Sequence, residues 1–123
     1  MPHLVLEYSA NVPDRPDLKR VLLDLHEALM ASALFERKDI KSRAVRHDVF
    51  AVADGAEDRA FVALSIAILD GRPDEVKAAV SEAALDVLIR AFPRLVAGGR
   101  GALSVEVRDL PRASYQRMRI RDV

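Results

Sequence analysis

RAFVALSIAIL, residues 59–69, is a nearly continuous apolar run that ends at the turn Asp70-Gly71. A strand of this kind is covered on both faces, since a half-solvated strand alternates apolar with polar. After the turn, Pro73, Asp74 and Glu75 open a helix, because proline's fixed φ and two carboxylates suit a helix start. A stripe of Val76, Val80, Ala83, Val87 and Ala91 recurs at helical spacing and runs on toward Leu95, where Gly98 and Gly99 end it. ALSVEVRDL, residues 102–110, then alternates cleanly and reads as a strand. The second half of the chain is therefore strand, helix, strand.

The first half has the same order. HLVLEY, residues 3–8, is β-prone, and Asn11 to Asp17 is turn chemistry. Leu18, Val21, Leu22, Leu25 and Leu29 form a helical stripe that should fade near Phe35. Pro16 fits its first turn, and Asp17 suits the positive end of its dipole. Ile40 to Val52, with Val45, Val49 and Val52 among charges, reads as an irregular strand that ends before the turn at Asp54-Gly55. Arg15-Pro16-Asp17 recurs as Arg72-Pro73-Asp74, 57 residues on, each time at a helix start. This predicts a single domain over 1–123 with an internal repeat of about 2–58 and 59–123. The expected class is α+β: tandem β-α-β repeats with right-handed crossovers, forming a four-stranded sheet with two helices on one face. The apolar residues of 61–69 require cover on the other face too. Further copies of the chain are the simplest cover, so a closed homo-oligomer is predicted.

Composition narrows the function. Nineteen basic residues balance nineteen acidic ones, without the concentrated Lys/Arg that nucleic acid demands. Arg112, Arg117, Arg119 and Arg121 are a local exception, read as a solvated tail or subunit contact ahead of a nucleic-acid patch. There is no cysteine, which excludes disulfides and thiol chemistry and fits a reducing interior. No secretory signal and no span of roughly 20 apolar residues is present, so no membrane partner and a cytoplasmic location are expected.

The second residue is proline. Once Met1 is removed, Pro2 is a free secondary amine, whose pKa a neighbouring cation or an apolar wall can push toward neutrality, the range of a proton shuttle. With Met1 attached, Pro2 is a tertiary amide without basicity. Arg72 sits in a Gly71-Arg72-Pro73 junction between strand end and helix start, either as an anion site or as an exposed turn residue paired with Asp70 or Asp74. Lys41 and Arg43 share one face of their strand by alternation, either as a second cation pair or as a solvated edge. His3, His26 and His47 lack metal-ligand spacing. His26 reads as a boundary residue of the first helix, and His3 could tune Pro2 or orient a substrate. No serine has a nucleophile-elbow context, and the glycines make no phosphate loop.

The opening Met1-Pro2-His3-Leu4-Val5-Leu6-Glu7-Tyr8-Ser9, followed by Asn11, resembles the 5-carboxymethyl-2-hydroxymuconate Δ-isomerase family of the tautomerase superfamily. The likeness continues through Ile40-Lys41-Ser42-Arg43, Ala53-Asp54-Gly55, Ala60-Phe61-Val62, Gly71-Arg72 and Ala102 to Glu106. DGRPDEVK, residues 70–77, is similar to the strand-to-helix junction of the short 4-oxalocrotonate tautomerases. The resemblance implies a tautomerase-like closed homotrimer with Pro2 as acid/base, Arg72 on a substrate carboxylate, and no metal or organic cofactor. The family's other arginine falls on Lys41, which keeps the charge but loses the planar fork; Arg43 matches. The implied reaction moves a double bond by proton transfer in an unsaturated 2-hydroxy or 2-oxo di- or tricarboxylate from aromatic-compound degradation. The alternatives are another superfamily activity (a phenylpyruvate-type keto-enol tautomerase, a dehalogenase or a decarboxylase) or a trimeric binding protein with a dead site.

Overall fold

The computed structural model describes residues 1–121. Four strands, β1 (His3–Ser9), β2 (Lys41–His47), β3 (Arg59–Leu69) and β4 (Arg100–Leu110), form one sheet in the order β2-β1-β3-β4. β1 and β2 are parallel, β3 and β4 are parallel, and the two pairs meet antiparallel at β1 and β3. Helix α1 (Leu18–Met30) joins the first pair; α2 (Asp74–Ala91) and α3 (Pro93–Gly98) join the second. Both β-α-β units are present as expected.

Alternation decides which side chains reach the helices. On β3, Ala60, Val62, Leu64, Ile66 and Ile68 are buried, and Leu4 and Leu6 of β1 lie in register with them. They pack with Val21, Leu25 and Leu29 of α1 and Val80, Ala84, Val87 and Leu88 of α2. The other face carries His3, Val5 and Glu7 beside Lys41, Arg43 and Val45, then Phe61, Ala63, Ser65, Ala67 and Leu69. The β3 residues of that face are half-buried by their neighbours alone and are mostly small.

β1 runs one residue further than the sequence reading, to Ser9, and β4 starts two residues earlier, at Arg100; four other boundaries differ for a clear physical reason. Asp17 is the N-cap of α1, accepting from the Arg20 amide at 3.3 Å, so Pro16 precedes the helix. Helix α1 stops at Met30, not near Phe35: the Ser32 hydroxyl donates to the Leu29 carbonyl at 2.6 Å, and Ala33 turns left-handed at φ 59°. β2 ends at His47, because its partner β1 ends at the paired Ser9; Val49 lies outside the sheet and is 96% exposed. Helix α2 does not continue to Leu95. Pro93 has no amide to donate and forces Phe92 out of helical geometry, to φ −123°, ψ 57°. The short α3 that follows is capped from afar: the buried Asp14 carboxylate accepts the Arg94 amide at 2.8 Å and the Leu95 amide at 2.9 Å. The buried stripe of α2 includes Ala84 and Leu88, whereas Ala83 is only partly covered.

Candidate active site

Antiparallel pairing of β1 with β3 sets the start of the chain beside the end of β3, with His3 opposite Ala67. Two residues past Leu69, Gly71 takes φ 106°, which a side chain would strain, and the chain folds Arg72 back toward Pro2. Pro2 and Arg72 line one cleft of about 160 Å³ with Met1, Leu34, Phe35 and Leu69. Pro2 is fully buried there. The Arg72 guanidinium lies 4.9 Å from the centre of the Phe35 ring, and its Nη1 donates to the Leu69 carbonyl at 3.3 Å. Stacking on an aromatic face holds the fork flat while leaving N–H groups for a carboxylate.

The terminal amine, here that of Met1, donates to the Asp39 carbonyl. Lys41 Nζ donates to the same carbonyl at 2.9 Å. Burial first, then the Lys41 charge, lower the amine's pKa from 8.0 to about 6, with Arg117 pushing the same way and Asp39 opposing. An amine of that pKa is mostly unprotonated at neutral pH and can take up a proton. His3 is also held below its ordinary 6.5, by burial and then by the amine, Lys41 and Arg43. Its Nε2 lies 3.1 Å from the Tyr115 hydroxyl.

The expected site residues are thus placed unequally. Pro2 and Arg72 share the cleft, and Lys41 stands at the amine. Arg43 lies one step along β2, in register with Val5, without lining that cleft or finding an ion-pair partner among the described residues. His26 hydrogen-bonds the Ser42 hydroxyl at 2.7 Å on the helix side, a boundary role. The sequence reading gives no site role to Phe35, Asp39 and Tyr115, and it reads Arg117 as part of a solvated tail or subunit contact. Asp39 binds Arg117 at 3.4 Å and Arg119 at 3.3 Å. Among the described residues no cluster of three or more His, Asp or Glu could hold a metal ion, and no helix is long and apolar enough to cross a membrane.

Two β-α-β units on one sheet, with the chain's start set against an arginine in the loop after the third strand, define a tautomerase-superfamily protein. Comparison with known proteins is specific beyond that. The family model described as 5-carboxymethyl-2-hydroxymuconate isomerase matches residues 2–123, and the chain belongs to that family. It is 30% identical over 110 residues to the 5-carboxymethyl-2-hydroxymuconate Delta-isomerase of Escherichia coli, covering 89% of this chain and 87% of that one. A crystal structure of a 5-carboxymethyl-2-hydroxymuconate isomerase from Deinococcus radiodurans R1 matches with TM-score 0.87 and 34% identity, over 95% of this chain and 88% of the other. A fused 4-OT described as a symmetric trimer shares the fold, with TM-score 0.70 and 19% identity over 90% and 87% of the two chains.

Proposed function

We propose that this chain, freed of Met1, is a cofactor-independent isomerase that transposes a C=C bond in an unsaturated 2-hydroxy or 2-oxo di- or tricarboxylate such as 5-carboxymethyl-2-hydroxymuconate. The observation that carries this reading is the convergence, in one cleft, of Pro2, a Phe35-backed Arg72 and the Met1 amine, whose basicity burial and Lys41 lower. Arg72 grips one substrate carboxylate. The neutral Pro2 nitrogen takes the 2-hydroxyl proton, or one from an adjacent carbon, and returns it farther along the conjugated chain. The double bonds shift and the net composition is unchanged. Lys41 steadies the negative charge that develops on oxygen and, with the apolar walls, keeps the amine unprotonated between turnovers. Arg43 lies outside the cleft, and its charge acts on His3.

The names of the relatives and the trimeric assembly of the fused 4-OT support both the substrate class and a homotrimer. The uncovered sheet face, where Ala63, Ser65 and Ala67 leave room for another layer to approach, supports the assembly of several copies. The test is the ultraviolet decay of a 2-hydroxymuconate-type dienol, after intact mass has shown Met1 lost. Pro2→Ala should lower kcat/KM by about 10²-fold or more, the scale of positioned acid–base catalysis. Equal rates for wild type and Pro2→Ala would refute the base assignment. Sedimentation should give three times the 13.6 kDa chain mass; a stable monomer at micromolar concentration would refute the assembly.

A further inference from the structure

The tail beyond β4 is not a loose basic end. Tyr115 bonds His3, and Arg117 and Arg119 converge on the Asp39 carboxylate, 78 residues away from Arg117 in sequence. These contacts fold residues 115–121 back over the start of the sheet. They close a second cleft of about 270 Å³, walled by Lys41, Arg117, Arg119 and Arg121 with Met118 and Ile120. Asp39 lines both this cleft and the one that holds Pro2 and Arg72, so the two meet beside the amine.

We infer that this second cleft is a carboxylate subsite and that Arg117 is its anchor, selecting substrates that carry an acid group at each end. The inference rests on the isomerase reading for the identity of the ligand. Cations outnumber the one acid in the wall, and the Asp39 carboxylate is shared between two arginines at long range, 3.3 and 3.4 Å. A guanidinium has five N–H donors, so Arg117 keeps several free while Asp39 holds it in place. Its side chain is 35% exposed, less than the 50% of Arg119, and its charge is among those that lower the amine's pKa. The apolar Met118 and Ile120 suit a hydrocarbon chain between two acid ends. A ligand with one carboxylate satisfies Arg72 and leaves this cleft to water. One with two is held on both sides of the reacting carbons, which fixes their position over the nitrogen.

Two saturated probes separate this inference from the catalytic one: adipate, with an acid at each end, and hexanoate, with one. Calorimetry on the mature oligomer should show adipate binding more tightly than hexanoate, and Arg117→Ala should reduce that preference about tenfold, the scale of one lost charge-assisted contact. Arg117→Lys should recover part of it, since it restores charge without the fork. Should Arg117→Ala fail to fold, Arg117→Gln gives the same reading. A wild type without preference, or a preference that changes less than twofold on substitution, overturns the anchor whether or not the dienol is turned over. Adipate preference that depends on Arg117, in a protein that isomerises nothing, upholds the anchor and removes the isomerase.

Discussion

Lys41→Met tests how the amine is made basic enough to act and weak enough to be free at neutral pH. Lys41 Nζ and the terminal nitrogen donate to the same Asp39 oxygen. Two donors on one carbonyl oxygen at ordinary hydrogen-bond lengths lie roughly 4–5 Å apart. At about 4 Å, a pair of unit charges costs ~1 kcal/mol where water screens fully and ~4 kcal/mol in a protein-surface dielectric. The Lys41 side chain is exposed, so the lower figure applies. Removing it should raise the amine's pKa by about 0.7 of a pH unit, since one unit corresponds to ~1.36 kcal/mol. Burial, the larger cause, stays in place, so the amine should still titrate below its ordinary 8.0. The assay is the pH dependence of amino-terminal acylation by a dilute reagent, read by intact mass, in the Met1-bearing chain where the pKa is about 6. In the mature enzyme the acidic limb of kcat/KM should move the same way. Added salt should shrink the difference between the two proteins, because the charges are screened. Lys38→Met is the control, as that ammonium is engaged by Glu36 at 3.5 Å. An amine that titrates unchanged, or at lower pH, in Lys41→Met would show that burial alone sets it and would leave Lys41 no part in activating the base.

Asp14→Ala orphans the Arg94 and Leu95 amides, and with charge-assisted bonds worth about 1.5–3 kcal/mol each before relaxation, urea unfolding should show a net loss of about 3 kcal/mol; a loss under about 1 kcal/mol would mean that α3 is capped by something else. Gly101→Ala would set a Cβ 1.7 Å from the Ala60 carbonyl at φ 143°, so it should cost about 3 kcal/mol or more, whereas Gly98→Ala meets open space and should be neutral or slightly stabilising; equal urea midpoints for the two would contradict the β3–β4 register. Burial holds His26 below 6.5, so the unfolded chain binds more protons than the folded one as pH falls under 6.5, and stability should drop toward acid; His26→Gln should flatten that slope in thermal melts between pH 6.5 and 5, and an unchanged slope would place the titrating group elsewhere.

The fold was legible because its periods are long and consistent. The alternation of 102–110 and the leucine stripe of α1 each admit one element type, and the apolar run 59–69 demanded a second covering layer. Boundaries were less legible where a single residue overrides a pattern. Pro93 was in plain view, yet the helical spacing out to Leu95 continued across it, because α3 resumes a helix at Pro93 and buries Leu95. The β2 end could not be read from its valines, since it is fixed by where β1 runs out of partners.

The site divides in the same way, and the division has one physical origin. Pro2 and Arg72 announce themselves by local chemistry, one as a latent secondary amine, the other by its place between a strand end and a helix start. Neither local feature says that they meet. That follows from the antiparallel pairing of β1 with β3, which puts the beginning of the first unit against the end of the second. Lys41 and His3 come in on β2 and β1, but four more residues reach the same corner from outside the long periodic elements: Phe35 and Asp39 from the link between α1 and β2, Tyr115 and Arg117 from beyond β4. Such segments carry no hydrophobic period to betray their destination, and an arginine there looks like any solvated arginine until its acid is known. Asp39 is that acid. It is the residue whose backbone takes the amine and Lys41 while its side chain takes Arg117 and Arg119. The charge pattern around the amine is therefore organised by one carboxylate and its own carbonyl, and a chain with Lys41, Arg117 and Arg119 retained but Asp39 displaced would hold these cations without their arrangement.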